Sequence, residues 1–306
     1  MKAVKGRFFF GGVHVPDMKA LSQNAPIEEL PEPQTVTIAL AQSLGKPAVA
    51  CVNVGDTVAQ GQLIGRADGA ISSNVFASIS GKVTEIKTIE NESGQQGTFI
   101  VIEGDGSGAK QFLPPLENPS PEEIINRVRD AGIVGLGGAG FPTAVKLTPR
   151  TPVDTFIING SECEPYLTCD HRVMLEKTDE VVRGARYLAK ALGVTKIMIG
   201  IELNKPDCIA AFEKYDDVKV VALRKIYPMG GEKQLIYSTT GRKVPTGKLP
   251  ADVGVVVNNV ATCLAVCEAI ELGKPDMDPI LTVSGTSVAR TANIKAPVGT
   301  PVSYIV

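Results

Sequence analysis

Glycine dominates the stretch from Gly135 to Lys146, which reads Gly-Leu-Gly-Gly-Ala-Gly-Phe-Pro-Thr-Ala-Val-Lys. Because glycine has no Cβ atom, such a backbone can bring its amides close to a ligand, and those amides and the Lys146 ammonium can hold an anion. The stretch lacks the Gly-Lys-Ser/Thr end of a Walker A loop, and it follows a predicted helix rather than the strand of a Rossmann fingerprint. On glycine content alone, a flexible connecting turn explains it equally well.

Three further turns carry ligand-type residues beside predicted strands or helices. Asn-Gly-Ser-Glu-Cys-Glu-Pro-Tyr (residues 159–166) follows a predicted strand, at the edge where open α/β sheets bind ligands, and its Glu162 and Glu164 can bond ribose hydroxyls. Tyr-Pro-Met-Gly-Gly-Glu (227–232) and Asn-Asn-Val-Ala-Thr (258–262) each lead into a predicted helix. Each turn alone can be an ordinary polar connection, but four in one α/β region indicate a ligand site.

A linker rich in Gly and Pro, at residues 104–121, separates two halves of different pattern. A helix is predicted directly after it, because Ser120 can cap, Pro121 suits the first helical position, and the next two glutamates suit the helix dipole. Strand and helix patterns then alternate, which is typical of an α/β layer with a largely parallel sheet. The predicted strands are residues 155–159, 196–201, 218–223 and 253–257, and the predicted helices are 173–192, 205–214 and 231–239.

The first third of the chain has short apolar runs between Gly, Asp and Asn, a pattern that predicts β structure. Residues 52–65 and 79–86 resemble the two halves of the small flattened barrel in biotinyl and lipoyl carrier domains. In those carriers a Lys between the halves is modified, whereas residues 66–77 contain no Lys here. We therefore expect a β scaffold and not a swinging arm. Residues 279–306 return to short β runs.

Composition argues against several classes of function. The 306 residues carry 31 basic and 33 acidic side chains, a balance unlike that of proteins that coat nucleic acid or anionic membranes. Two histidines, and six cysteines without a Cys-x-x-Cys spacing, argue against a complete metal or iron–sulfur centre, so no metal ligands are predicted. No apolar run reaches the roughly 18 residues of a membrane span, and no secretory signal is recognisable.

Together and in this order, the four turns resemble those of the FMN-binding subunit of respiratory complex I. That family carries a Gly-Arg-Gly-Gly-Ala-Gly-Phe-Pro-Thr-Gly-x-Lys loop, an Asn-x-x-Glu-x-Glu-Pro turn, a Tyr followed by Gly-Glu, and Asn-Asn-Val-x-Thr. The similarity is closer to a related family, the C subunit of the Rnf electron-transport complex, and it spans essentially all 306 residues. It includes Phe-Gly-Gly-Val-His (10–14), Glu-Cys-Glu-Pro-Tyr-Leu-Thr (162–168), Leu-Pro-Ala-Asp-Val-Gly (249–254) and Thr-Val-Ser-Gly (282–285).

This resemblance implies an α/β fold in three parts. They are an N-terminal β barrel-sandwich-like (lipoyl-like) domain at residues 1–115, a central Rossmann-like FMN/NADH-binding α/β domain at 116–277, and the start of a C-terminal β-grasp module at 278–306. FMN is the implied cofactor, bound by Gly135, Gly137, Gly138, Lys146, Asn159, Ser161, Glu162, Tyr227, Gly231, Glu232, Asn258, Asn259 and Thr262. NADH is the implied substrate, with Phe141 stacked on its adenine, Glu164 bonded to its ribose and Lys243 in contact with the nucleotide.

The chain departs from the complex I pattern at three places. Leu136 stands where that family has arginine, Ala144 replaces a glycine, and a second stacking aromatic has no counterpart near Thr246. The Rnf subunit also continues into a ferredoxin-like region with two Cys-x-x-Cys-x-x-Cys-x-x-x-Cys-Pro runs, which do not occur here. We therefore expect a truncated subunit whose [4Fe–4S] clusters belong to the full-length protein.

The resemblance also implies an activity. It points to an oxidoreductase without a catalytic acid or base, in which FMN takes hydride from NADH and electrons pass to iron–sulfur carriers or ferredoxin. The implied partners are the other subunits of an ion-translocating membrane complex, and the implied location is the cytoplasmic face of the cell membrane, as a peripheral subunit. Two alternatives remain: a soluble Rnf-C-related flavoprotein such as a cobalamin reductase, and a non-catalytic docking scaffold.

Overall fold

The computed structural model describes residues 2–90, 94 and 96–306, and its first part is a β barrel-sandwich. Two antiparallel sheets, in the orders β3-β9-β8-β5 and β4-β6-β7, enclose a core of buried aliphatic side chains. This confirms the predicted class of the N-terminal region. The strands, in chain order, are β1 (Val4–Lys5), β2 (Ile27–Glu29), β3 (Thr35–Ala39), β4 (Val49–Ala50), β5 (Thr57–Val58), β6 (Leu63–Arg66), β7 (Val75–Phe76), β8 (Gly81–Glu90) and β9 (Gln96–Gly104).

After the linker, helices and strands alternate around one parallel sheet, as predicted. Its strand order is β1-β12-β11-β10-β13. Side chains of α1, α3, α4, α5 and α7 cover one face, and α6 covers the other. The elements are α1 (Pro121–Asp130), α2 (Thr143–Lys146), β10 (Thr155–Gly160), α3 (Cys169–Glu176), α4 (Thr178–Leu192), β11 (Lys196–Glu202), α5 (Pro206–Phe212), β12 (Val218–Leu223), α6 (Glu232–Thr240), β13 (Val255–Asn259) and α7 (Val260–Glu271).

Local sequence explains where these elements begin and end. At α1, the Glu123 N–H donates to the Ser120 hydroxyl at 3.3 Å, and the Ser120 N–H donates to the Glu123 carboxylate at 2.7 Å, which is a capping box. α4 ends at Gly193, whose φ of 68° is a left-handed conformation that suits glycine. Within the described residues, no helix is long and apolar enough to cross a lipid bilayer.

The predicted single helix over residues 173–192 is wrong, because two helices occupy this region. α3 begins earlier, at Cys169, and ends at Glu176, whereas α4 begins at Thr178. Lys177 between them leaves the helical region, with φ −128° and ψ 30°. The Thr178 hydroxyl donates to the Met174 carbonyl at 2.6 Å, so a side chain satisfies a carbonyl at the break. The apolar spacing continues across the break and therefore does not reveal it.

The first 30 residues pair with strands from distant parts of the chain. β1 joins the α/β sheet, where Val4 pairs with Val221 of β12. β2 pairs in parallel with β15 (Ala292–Lys295), which is itself antiparallel to β14 (Ile280–Val283), and a short helix α8 (Val302–Ile305) follows. Residue 115 was predicted as the end of the N-terminal domain. The barrel strands, within residues 35–104, lie before it, but β1 and β2 also lie before it and pair with strands that follow it.

Gly184 in α4 lies against α7, where an added Cβ atom would be 1.8 Å from the Cys263 carbonyl oxygen. That oxygen belongs to the backbone and can move only if the helices separate, so Gly184→Ala should lower the free energy of unfolding by about 3 kcal/mol. Chemical denaturation followed by circular dichroism measures this. Gly138→Ala is the matched control, because an added Cβ there meets nothing within 4 Å. Equal stability of the two variants would contradict the packing argument.

Candidate functional site

The carboxyl ends of β10 and β13 meet where the order of strands reverses. From β10 the chain continues through β11 and β12 on one side, and it then adds β13 on the other side of β10. Asn159 of β10 pairs in register with Asn259 of β13. Open α/β sheets bind ligands in the crevice formed at such a reversal. Two of the predicted site residues therefore lie side by side at the place where a ligand is expected.

The glycine loop lies against the end of β13 and the start of α7. The Leu136 N–H donates to the Thr262 hydroxyl at 3.1 Å. A Cβ atom on Gly137 would be 2.5 Å from the Asn259 carboxamide nitrogen, so a larger residue would push the loop away from the strand. The structure thus brings Gly137, Asn259 and Thr262 together, although they are far apart in sequence.

The tip of this loop is open at Gly138 and is held by the barrel at Gly140. An added Cβ atom on Gly138 would meet nothing within 4 Å, so the backbone there can approach a ligand. Gly140 has φ 63°, and its carbonyl accepts the N–H of Leu44, a barrel residue, at 3.0 Å. The loop also closes on itself, because the Gly135 N–H donates to the Phe141 carbonyl at 2.9 Å. The barrel therefore supports the loop from one side.

Lys146, at the end of α2, connects the loop region with the first turn of α6. Its ammonium donates to the Glu232 carboxylate at 3.1 Å and to the Val257 carbonyl at 3.1 Å. The Lys146 and Glu232 side chains remain 28% and 41% exposed. Because a partly exposed ion pair contributes little to stability, the ammonium is available to an anionic ligand.

Asn159 links the turn after β10 to the glycine pair before α6. Its amide nitrogen donates to the Gly230 carbonyl at 2.9 Å, and its oxygen accepts the Ser161 N–H at 3.2 Å. Gly231 precedes the first residue of α6 as its N-cap. Tyr227, which is half exposed, begins the same connection and bridges to the backbone of Val13. These contacts hold the turn after β10 against the turn before α6.

Glu162 buries its carboxylate within the turn that follows β10. One oxygen accepts the N–H groups of Asp170 and His171, at 2.7 and 3.3 Å, at the start of α3. The other lies 3.2 Å from the ammonium of Lys19. Glu162 has φ 48°, a strained conformation that its surroundings must maintain. The carboxylate therefore holds the turn together, and a contact between it and a flavin stays a prediction.

Lys19 lies in the site region but belongs to none of the predicted motifs. Its ammonium also donates to the carbonyls of Glu164, at 3.1 Å, and Leu167, and only 3% of the residue is exposed. The segment that carries Lys19 lies between β1 and β2, far from Glu162 in sequence. Sequence patterns are local, so they provide no signal for this buried ion pair.

A second buried lysine, Lys205, lies beside the same turn. Its ammonium donates to the Ser161 carbonyl at 2.6 Å and is 3.7 Å from the Glu202 carboxylate. Burial raises the pKa of Glu202 to about 7, although Lys205 and Lys19 oppose the shift. Two buried ammonium groups therefore contribute positive potential around the turn that contains Ser161 and Glu162.

Buried polar atoms without hydrogen-bond partners occur in these turns. Among the described residues they include the Ser161 hydroxyl and both amide atoms of Asn258. Val256 packs against the α7 side of the sheet and Val257 against the α6 side, so side-chain alternation directs Asn258 and Asn259 to opposite faces. Because buried polar groups normally have partners, these atoms are free to bond a polar ligand or an ordered water.

The predicted nucleotide contacts are less closely gathered. Lys243 follows the C-terminal end of α6, whose 9 residues separate it from Glu232 by about 13 Å, and its ammonium lies 5.7 Å from the Tyr237 ring centroid. A contact between Lys243 and a nucleotide stays a prediction. Glu164 is exposed and Phe141 is half-buried, so both side chains are accessible to a substrate.

Two family models match the chain in consecutive stretches. Residues 7–107 match the RnfC barrel sandwich hybrid domain, and residues 128–268 match the Nuo51 FMN-binding domain. The second stretch contains all four turns, and with them every residue predicted to bind FMN or NADH.

Curated relatives identify the family. The C subunit of the Na(+)-translocating ferredoxin:NAD(+) oxidoreductase complex of Acetobacterium woodii is 40% identical, over 99% of this chain and 71% of its own. The chain belongs to the RnfC family. The corresponding subunit of the proton-translocating complex of Clostridium ljungdahlii is 46% identical, over 95% of this RnfC-family chain and 66% of its own length. The equivalent subunit of the ion-translocating oxidoreductase complex of Rhodobacter capsulatus is 42% identical, over 97% of this chain and 59% of its own length.

A solved structure also resembles this RnfC-family chain. The NAD+-reducing [NiFe]-hydrogenase in its H2-reduced state is 26% identical, with a TM-score of 0.50, over 58% of this chain and 37% of that chain. The similarity agrees with the α/β architecture described above. The chain spans 59–71% of the length of the three relatives.

Lys19→Met should destabilise the folded protein, because it leaves the buried Glu162 carboxylate without its ionic partner. We expect the free energy of unfolding, measured with urea, to fall by about 3 kcal/mol. The double variant Lys19→Met/Glu162→Gln removes both charges and should recover part of that loss. A single variant at least as stable as the double variant would show that the pair does not hold the turn.

Proposed function

We propose that this chain is the FMN-binding, NADH-oxidising part of an ion-translocating electron-transport complex, and that it passes electrons between NAD(H) and iron–sulfur carriers or ferredoxin. One observation carries the proposal: the glycine loop, Lys146 and the Asn159–Asn259 pair converge at the reversal of strand order. They do so within the stretch that matches the Nuo51 FMN-binding domain. Relatives named as subunits of ferredoxin:NAD(+) oxidoreductase complexes support the redox partners.

The chemistry of the site fits FMN. Gly138 leaves its backbone open, as close approach of a phosphate requires, and Lys146 supplies a partly exposed positive charge. The unpartnered Ser161 hydroxyl and Asn258 amide offer hydrogen bonds to the ribityl hydroxyls or the polar edge of the ring. The residues that would hold the cofactor are Gly135, Gly137, Gly138, Lys146, Asn159, Ser161, Glu162, Tyr227, Gly231, Glu232, Asn258, Asn259 and Thr262.

When bound, FMN supplies the exchange between two-electron hydride transfer and one-electron transfer. The protein would bind and orient FMN and NADH, so the site needs no general acid or base. Phe141 would stack on the adenine of NADH, and Glu164 would bond its ribose, because both side chains are accessible beside the turns. Lys19 and Lys205 act indirectly, since they fix the turn and set its potential.

The remaining parts of the proposal concern the longer protein. The [4Fe–4S] clusters would belong to sequence that the relatives have beyond the matched residues, and the direct electron acceptor would lie there or on a ferredoxin. The other subunits of the complex would be the partners, and the protein would be peripheral on the cytoplasmic face of the cell membrane. The names of the relatives, which are subunits of ion-translocating complexes, support this assignment.

Reconstitution tests the proposed activity. The purified chain is incubated with FMN, unbound flavin is removed, and NADH is added without oxygen. We expect stoichiometric FMN and bleaching of its visible absorption band, because NADH reduces bound flavin. A folded sample that retains FMN but does not bleach would contradict NADH oxidation, and a folded sample that takes up no FMN would favour a docking scaffold.

Lys146→Ala should weaken FMN binding by about 10- to 100-fold, because a charge-assisted hydrogen bond to the phosphate is lost. Fluorescence quenching of FMN on titration with protein measures the dissociation constant. Lys243→Ala is the matched control, since it removes the same charge beyond the opposite end of α6. Equal losses in the two variants would indicate that overall charge, and not a contact from Lys146, governs binding.

A further inference from the structure

Asp170 is bonded directly to one of the proposed FMN residues. It lies in the first turn of α3 and accepts a hydrogen bond from the amide nitrogen of Asn259 at 2.6 Å. The amide oxygen of Asn259 accepts the Ala261 N–H at 2.7 Å, which caps α7. Both the nitrogen and the oxygen of the amide are therefore hydrogen-bonded, and Asp170 holds the nitrogen on the side away from α7.

Asn259 transmits this arrangement to the glycine loop. An added Cβ on Gly137 would be 2.5 Å from the Asn259 amide nitrogen and 2.9 Å from its Cβ. The loop backbone at Gly137 therefore packs on a side chain whose orientation Asp170 sets. The next residue, Gly138, is the open position at which a ligand can reach the backbone. The Asn259 side chain thus connects Asp170 with the glycine loop, which is proposed to bind the cofactor.

The surroundings of Asp170 favour a proton on its carboxyl group. The residue is half-buried, and desolvation followed by the nearby Glu162 raises its pKa to about 7, although the Asn259 hydrogen bond opposes this. The charged and titratable groups around it are Glu162 and Glu164 of the turn, Lys19 beside Glu162, Lys205 after β11, and Cys169 and His171 on α3. The Glu162 carboxylate acts on Asp170 more strongly than the Lys205 ammonium does, so repulsion outweighs attraction.

We propose that Asp170 is a positioning residue of the flavin site, which orients Asn259 beneath the glycine loop and takes up a proton when the anionic cofactor binds. This inference rests on the proposed FMN function. A phosphate-bearing ligand adds negative charge and excludes water, and both effects disfavour the ionised carboxyl group. Protonation is therefore linked to binding, and FMN affinity should fall as the pH rises through about 7.

Two substitutions separate hydrogen bonding from charge. Asp170→Ala removes the acceptor for Asn259, and we expect it to weaken FMN binding about tenfold, as measured by fluorescence titration at pH 7.5. Asp170→Asn keeps an oxygen for the same hydrogen bond, so it should bind within about threefold of the unaltered chain. An Asp170→Ala variant that folds and binds FMN as tightly as the unaltered chain would overturn the positioning role.

Calorimetry in two buffers of different ionisation enthalpy measures the proton uptake. At pH 7.5 we expect the unaltered chain to take up as much as about 0.7 protons per FMN more than Asp170→Asn, because most Asp170 groups start ionised. The phosphate of FMN titrates equally in both proteins, so it cancels in the difference. Glu122→Gln, which removes an exposed carboxylate in the first turn of α1, is the control and should keep the uptake.

The outcomes separate the inference from the proposed function. Equal proton uptake by the unaltered chain and Asp170→Asn, with FMN bound by both, overturns the role of Asp170 alone. Failure of the folded, unaltered chain to bind FMN overturns the proposed function and this inference with it. Because Asp170→Asn preserves shape and hydrogen bonding, the proton measurement stays decisive even if Asp170→Ala does not fold.

Discussion

The in-register parallel pairing of β10 with β13 is the constraint on which the site depends. It places Asn159 beside Asn259 and directs the turns that follow both strands to one edge of the sheet. The reversal of strand order at this pair leaves a crevice between connections that run in opposite directions. The glycine loop, α2 and the start of α6 all contact this edge, so its geometry sets the position of every other element of the site.

Buried charge stabilises an otherwise unfavourable turn. Glu162 has a left-handed backbone and a carboxylate removed from water, two features that cost free energy. Lys19 and the N–H groups at the start of α3 offset the charge, while Lys205 bonds the neighbouring carbonyl. Removal of one member would leave another charge buried and unpaired.

The sequence predicted the parts of the fold that local patterns encode. The helix cap at Ser120, the parallel strands and the helix after Gly231 depend on neighbouring residues, and each formed within a few residues of its predicted bounds. The four turns were identifiable because glycine, asparagine and acidic residues cluster where predicted strands and helices begin or end. Their bonding partners were not, since Lys19 and Asp170 act across contacts that depend on the tertiary fold. The break at Lys177 was missed because apolar spacing continues through it.

The strand pairings also impose an order on how the protein can assemble. Strands β3 to β9 pair among residues 35–104, whereas Val4 requires Val221, and Ile27 requires Asn293. During synthesis from the N-terminus, the barrel can therefore close while the segment before it still lacks partners. That segment carries Lys19, so the counter-charge for Glu162 reaches its place only after strands near residues 221 and 293 have emerged. The turn after β10 is therefore one of the last parts of this fold to gain all of its contacts.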